Sequence, residues 1–494
     1  MKKSLFVMLS IFIIVLCPII LTGCKNNSET PKSKYELELN FDDENKTLYG
    51  KEKVKYTNNS ENSFNYLYFH LYPNAFRENS KAKVVAKYNE NEAYPNGVSY
   101  GEINIKNVML VNEKCIYAIK GEDENILEVK LKQELFPNES VEIYIEFVVK
   151  LANIHHRLGY GDNTINFGNF YPILCVYENG KGFMSKLYNS NGDPFYSECA
   201  DYIVSISYSK KFNIASSGNN ITVKEEKDSC KADIVGKNIR DFCFVLSDKF
   251  VIEEENLNGI AVKYYGYRND DNMKSCLEIS VKAMEFFIEK FGEYPYKQIS
   301  IVKSNFIHGG MEYPNIVLIS DKYSKQEDLN FVIVHELAHQ WWYGLVGNDE
   351  YNNAWMDEGL AEYSSLMFFR ENKIYGHKFE NLLNGSIESY KTFLKVYNEV
   401  QGGFVDTSMN RALDEFKTEP EYTQCIYNKG LLMFNSIENT VGKKKFIKAL
   451  NKYVSEFRFK NAKPENLIYV FNKTTKSELT GIFNSWLTGK VVIK

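Results

Sequence analysis

Between Tyr35 and about Glu254 apolar and polar residues alternate in short runs, as in Tyr35-Glu36-Leu37-Glu38-Leu39, Val54-Lys55-Tyr56, Val141-Glu142-Ile143-Tyr144-Ile145 and Tyr202-Ile203-Val204-Ser205-Ile206. A period of two places every second side chain on one face of a strand, so each run predicts a half-buried β-strand. Asn58-Asn59 and Gly218-Asn219-Asn220 separate such runs as turns. After a last strand at residues 259–264 the period changes. Cys276, Ile279, Ala283, Phe286, Phe287 and Phe291 recur at helical spacing, and Gly292 closes that helix. Ile299-Ser300-Ile301-Val302 and Ile316-Val317-Leu318-Ile319 predict two further strands, beyond which apolar spacing is helical almost to Lys494. The expected fold is α+β and multidomain: an N-terminal antiparallel β domain over residues 35–254, then a mainly helical domain over residues 255–494.

At 494 residues the chain is too long for one ordinary core. Its 44% hydrophobic and 25% charged content is that of a folded protein, and a net charge of −5, spread without a basic patch, argues against a nucleic-acid partner. The first 24 residues differ. Lys2-Lys3 precedes an apolar run from Leu5 to Leu21 that ends in Leu21-Thr22-Gly23-Cys24, an ending that resembles a bacterial lipobox. The expectation is a signal peptide over residues 1–24, lipid on Cys24, a polar tether over residues 25–34, and an extracytoplasmic protein anchored to the cell membrane. An uncleaved membrane anchor is the alternative. The seven remaining cysteines are odd in number and lack Cys-x-x-Cys. Cys175 with Cys199 and Cys230 with Cys243 could pair, or all could be buried thiols.

The chemistry is concentrated in Val334-His335-Glu336-Leu337-Ala338-His339-Gln340 and in Trp355-Met356-Asp357-Glu358-Gly359. Histidines four apart on a helix lie one turn from each other on one face, so both imidazoles can reach one zinc ion. Glu336 between them is placed to act as a base. Glu358, separated from His339 by eighteen intervening residues, is the natural third ligand, which leaves one position for water. Phe331, Val332, Ile333, Leu337 and Ala338 supply a buried flank, and Ser324-Lys325-Gln326-Glu327 predicts a capping box at the helix start.

These residues resemble the gluzincin aminopeptidases, the family of aminopeptidase N and leukotriene hydrolase. Three more segments agree. Gly309-Gly310-Met311-Glu312-Tyr313 is similar to the family's Gly-Ala-Met-Glu-Asn motif, Phe291-Gly292-Glu293-Tyr294-Pro295-Tyr296 to the segment that closes the first catalytic helix, and Ile426-Tyr427-Asn428-Lys429-Gly430 to its Tyr-x-Lys-Gly. The resemblance implies a thermolysin-like catalytic domain with one zinc held by His335, His339 and Glu358. It implies Glu336 as general base, Tyr427 as oxyanion stabiliser, and Gly309, Gly310, Met311 and Glu312 as the substrate-binding segment. Glu312 would bind the α-ammonium of peptides with a free N-terminus.

Two departures stand out: Tyr313 replaces the motif's asparagine, and the sequence ends at Lys494 without the large helical C-terminal domain of longer relatives, which predicts a more open cleft. A zinc endopeptidase and a catalytically inactive surface peptide-binding protein are therefore kept as alternatives. Glu362, one turn past Glu358, is either a carboxylate behind a ligand imidazole or a surface residue. His308 and the His155-His156-Arg157 run lack ligand spacing and are expected to be structural or solvated.

Overall fold

The computed structural model describes residues 33–494 apart from 112, 402–404, 492 and 494. The proposed signal peptide, Cys24 and most of the tether lie outside the described residues. No helix among the described residues is long and apolar enough to cross a membrane.

The alternating runs form the strands they predict. In Lys34–Asp42 the residues Tyr35, Leu37, Leu39 and Phe41 are buried, and in Ser140–Lys150 the residues Ile143, Ile145, Phe147 and Val149. Both belong to an eight-stranded sheet, which two four-stranded sheets accompany. The sheet is antiparallel except that Lys34–Asp42 runs parallel to Ala200–Ser209, a pairing that adjacent hairpins cannot make. No disulfide is formed by Cys175, Cys230 or Cys243, which are buried thiols.

A separate five-stranded sheet supports the helical part. Its order is Phe250–Leu257, Ile260–Tyr267, Gln298–Ser304, Ile316–Ser320 and, at the edge, Gly310–Met311. Strands 298–304 and 316–320 are buried along their whole length, as expected of strands covered on both faces. Helix Met273–Phe291 lies against this sheet with its predicted apolar face inward and ends at Gly292, whose φ of 109° suits a residue without a Cβ.

Helix Gln326–Ala338 follows, one residue later than a Ser324 cap would start it. The predicted capping box does not form: no side chain caps the helix at Lys325. Glu327, which would have reached back, packs instead against the turn after the next helix, where its backbone oxygen accepts from His377 at 2.8 Å. Glu327 and Asp328 still place negative charge at the helix's positive end.

The β part is fastened to the end of this helix by the buried Arg240. Its Nε donates to Tyr343 O at 2.8 Å, its Nη1 to Ser197 O at 2.6 Å and its Nη2 to Lys460 O at 3.1 Å. Tyr343 has a φ of 134°, a strained value for a residue with a side chain, and the Arg240 contact helps hold it.

Candidate metal and peptide site

Helix 326–338 brings His335 and His339 to one face, and helix Glu358–Glu371 crosses it. Trp342 Nε1 donates to Ser364 Oγ at 2.9 Å and ties the end of the first helix to the second. Glu358 thereby meets both imidazoles. Its Oε2 lies 3.3 Å from His335 Nε2 and 3.2 Å from His339 Nε2, and the two Nε2 atoms are 3.1 Å apart. An ion about 2.0–2.1 Å from each donor in tetrahedral geometry needs donor separations of about 3.3 Å, so these three residues fit zinc. His339 Nδ1 donates to Trp342 O at 2.9 Å, which turns its Nε2 lone pair toward the centre. Behind His335, Glu362 is partly buried, with Oε2 3.8 Å from Nδ1 and no hydrogen bond between them.

Burial raises the pKa of a carboxylate, yet that of Glu358 is held well below the usual range by the charge of His339 and by hydrogen bonds from both histidines. Burial likewise works against the charged imidazoles, but Glu358 and its acidic neighbours raise both.

Tyr427 arrives by a close helix crossing. An added Cβ on Gly359 would lie 3.2 Å from Gly430 Cα, and one on Gly430 would lie 2.9 Å from Gly359 Cα. Glycine in both motifs therefore lets helix Lys429–Val441 approach Glu358–Glu371. Immediately before it, Gln424–Asn428 is a π-helical turn, a distortion often found at functional sites. It directs Tyr427 OH to Glu358 Oε1 at 2.5 Å, with its ring stacked on His335.

Glu336 points to the same cleft, and its Oε2 has no hydrogen-bond partner. Burial lifts it to about 7, against the pull of His335 and His339. Gly310 fits against it: a Cβ there would come within 2.4 Å of Glu336 Oε1. Gly309 and Gly310 line the cleft, whereas Met311 is buried and pairs with Leu318. Glu312 is buried with Oε1 unpartnered, and burial together with the charge of Asp193 pushes it well above the usual carboxylate range. Tyr313 turns away and donates to Asn169 Oδ1 at 2.5 Å, so the residue that departs from the motif does not line the cleft.

Asp193, within Gly192-Asp193-Pro194, belongs to none of the motifs that mark the site in the sequence. Oxygens of Asp193, Glu312 and Glu358 lie within 4.8 Å of one another, and Arg157 pairs with Asp193. His156 and His308 also line the cleft, and neither is among the three metal donors.

Residues 275–486 match the family described as Peptidase family M1 domain. Aminopeptidase M1-D of Oryza sativa subsp. japonica is 25% identical over 252 residues, 48% of this chain and 28% of that protein. Aminopeptidase 2, mitochondrial, of Saccharomyces cerevisiae is 26% identical over 262 residues, 49% of this chain and 26% of that protein. The matches thus span about a quarter of those relatives' length. The M1 zinc metallopeptidase of Deinococcus radiodurans superposes with a TM-score of 0.64 at 13% identity, covering 94% of this chain and 96% of the other. A variant of that enzyme bound to a Tyr-Ser-Ala substrate superposes with a TM-score of 0.62 at 15% identity, over 93% and 94%. At that identity the likeness shows the shared fold, a multi-sheet β domain followed by a helical domain. Through residues 275–486 the chain carries an M1 peptidase domain.

Proposed function

We propose that the protein is a zinc-dependent metallo-aminopeptidase that removes N-terminal residues from peptides. The observation that carries this reading is the pairing of two features in one cleft. Three donors lie at tetrahedral separations, and beside them Glu312 and Asp193 approach Glu358. One zinc held by His335, His339 and Glu358 supplies a Lewis acid that brings the pKa of water toward about 7. Glu336 accepts the proton from the attacking water and returns it to the leaving nitrogen. Tyr427 donates its hydroxyl to the carbonyl oxygen as charge develops there, a contribution of about 3 kcal/mol for such a donor.

Glu312 and Asp193 hold the substrate's α-ammonium. Asp193 already has one cation in Arg157, whereas Glu312 Oε1 has no partner, so Glu312 gains most from a free amine. That contact sets which peptide bond lies beside Glu336, and misplacing it costs about a hundredfold. Glu312→Ala therefore lowers kcat/KM on free-amine peptides about a hundredfold and alters neither zinc content nor the low rate on N-acetylated peptides. Equal cleavage of free and acetylated peptides by the wild type, with no effect of Glu312→Ala, would establish the endopeptidase reading instead.

We also propose that the protein is held at the outside of the cell membrane by lipid on Cys24. The support is the Lys2-Lys3, apolar run and Leu21-Thr22-Gly23-Cys24 sequence. Cys24→Ser yields unlipidated precursor on metabolic labelling with a fatty acid; label retained on that variant would rule the anchor out.

A further inference from the structure

The wall of the cleft facing the metal site contains a carboxylate that the proposed reaction does not use. Glu419 stands at the start of helix Glu419–Thr423, which runs straight into the turn that carries Tyr427. Its Oε2 accepts from Tyr88 OH at 2.5 Å and from Asn89 Nδ2 at 3.2 Å, both on a segment of the β domain. Those two donors fix the carboxylate. Oε1 is left facing His308, whose Nδ1 is 4.0 Å away, beyond hydrogen-bond distance. Burial first, and then Arg157 and Lys322, hold His308 down to about 3, so it is neutral and supplies no counter-charge.

Beside it, His156 is 1% exposed and packs edge-on against His308 at 5.7 Å. Neither of its ring nitrogens has a hydrogen-bond partner; the Val84 backbone is near but outside that geometry. Among the described residues lining the cleft, Arg157 is the one permanent cation, and Asp193 occupies it. A fixed anion and a buried imidazole without a hydrogen-bond partner therefore share one wall, and among the described residues no lysine or arginine pairs with Glu419.

We infer that Glu419, His308 and His156 form a subsite for a long cationic side chain, lysine or arginine, at the second residue of the substrate. The position follows from the order along one loop, and it rests on the aminopeptidase reading. With the α-ammonium at Glu312, the scissile bond lies beside Gly310, which touches Glu336. A chain extended along the loop at about 3.3 Å per residue then brings the next side chain to His308 and Glu419. The apolar stem lies on the imidazole rings and the charged end reaches Oε1.

The test uses the zinc-loaded full chain and tripeptides Leu-Xaa-Ala with Xaa as lysine, arginine, leucine or glutamate. Wild type favours lysine and arginine over leucine in kcat/KM by at least about fivefold, as a fixed, partly buried ion pair allows. Glu419→Gln, which keeps the shape and an acceptor for Tyr88, brings that ratio close to one. Glu419→Lys favours glutamate, and Tyr88→Phe, which changes no charge, lowers the lysine ratio less. A lysine-to-leucine ratio that is the same in wild type and Glu419→Gln, with the peptides cleaved, overturns the subsite and leaves the aminopeptidase reading intact. Failure of the wild type to cleave any of these peptides overturns both.

Discussion

Glu336→Gln keeps its zinc and its fold and loses on the order of a thousandfold or more in turnover. An amide cannot take a proton from water, and a positioned acid–base group accounts for about a hundred- to ten-thousandfold of a rate. The side chain is not among the three groups whose donors meet at 3.1–3.3 Å, so metal content in the variant equals that of the wild type. Glutamine also has the shape that Gly310 leaves room for, with a Cβ at 310 already excluded by the glutamate. Oε2 has no protein partner in the wild type either, so the amide gives up no hydrogen bond and the variant's stability stays close to that of the wild type. Melting temperature, bound zinc and single-turnover rate on a leucyl-coumarin substrate separate these effects. A near wild-type rate would remove Glu336 from the role of base.

The parts of the site that follow from local spacing were legible in the sequence, because an i, i+4 pair of histidines has one geometry on a helix whatever surrounds it. Glu358 was legible for the same reason once a second helix was granted. Its depth depended on more: the Gly359–Gly430 crossing brings Tyr427 over it, and the π turn at Gln424–Asn428 that aims the hydroxyl leaves no periodic signal. Asp193 could not be found this way. It lies 119 residues before Glu312, outside every motif of the site, and the packing of the β part on the helical part sets it there. His156 and His308 show the converse. Lacking ligand spacing, they stay out of the metal centre, but that says nothing about lining a cleft. The Ser324 capping box failed because Glu327 is engaged with the turn at Gly376 and His377, a tertiary contact that outweighs a local propensity.

His339→Ala empties the metal centre and abolishes activity. Of the three donors, His339 is the most firmly oriented. Its Nδ1 is held by Trp342 O at 2.9 Å at the end of the helix, in a turn that Arg240 fastens through Tyr343. Removing it leaves His335 and Glu358, a pair that cannot close a tetrahedral site. Structural zinc sites bind with about 10–16 kcal/mol from four ligands, so losing one of three costs several kcal/mol and more than a thousandfold in affinity. A bound ion's charge would also balance Glu312, Glu336 and Glu358, which are buried in the same cleft. Zinc therefore stabilises the wild type against heat by mass action, about 2.7 kcal/mol at a hundredfold excess over Kd, and the variant gains nothing from added zinc. Atomic absorption on dialysed protein and thermal melts with and without zinc read both effects. Stoichiometric zinc in His339→Ala, or an equal zinc-dependent rise in melting temperature, would show that the ion is held elsewhere and that His335, His339 and Glu358 are not its ligands.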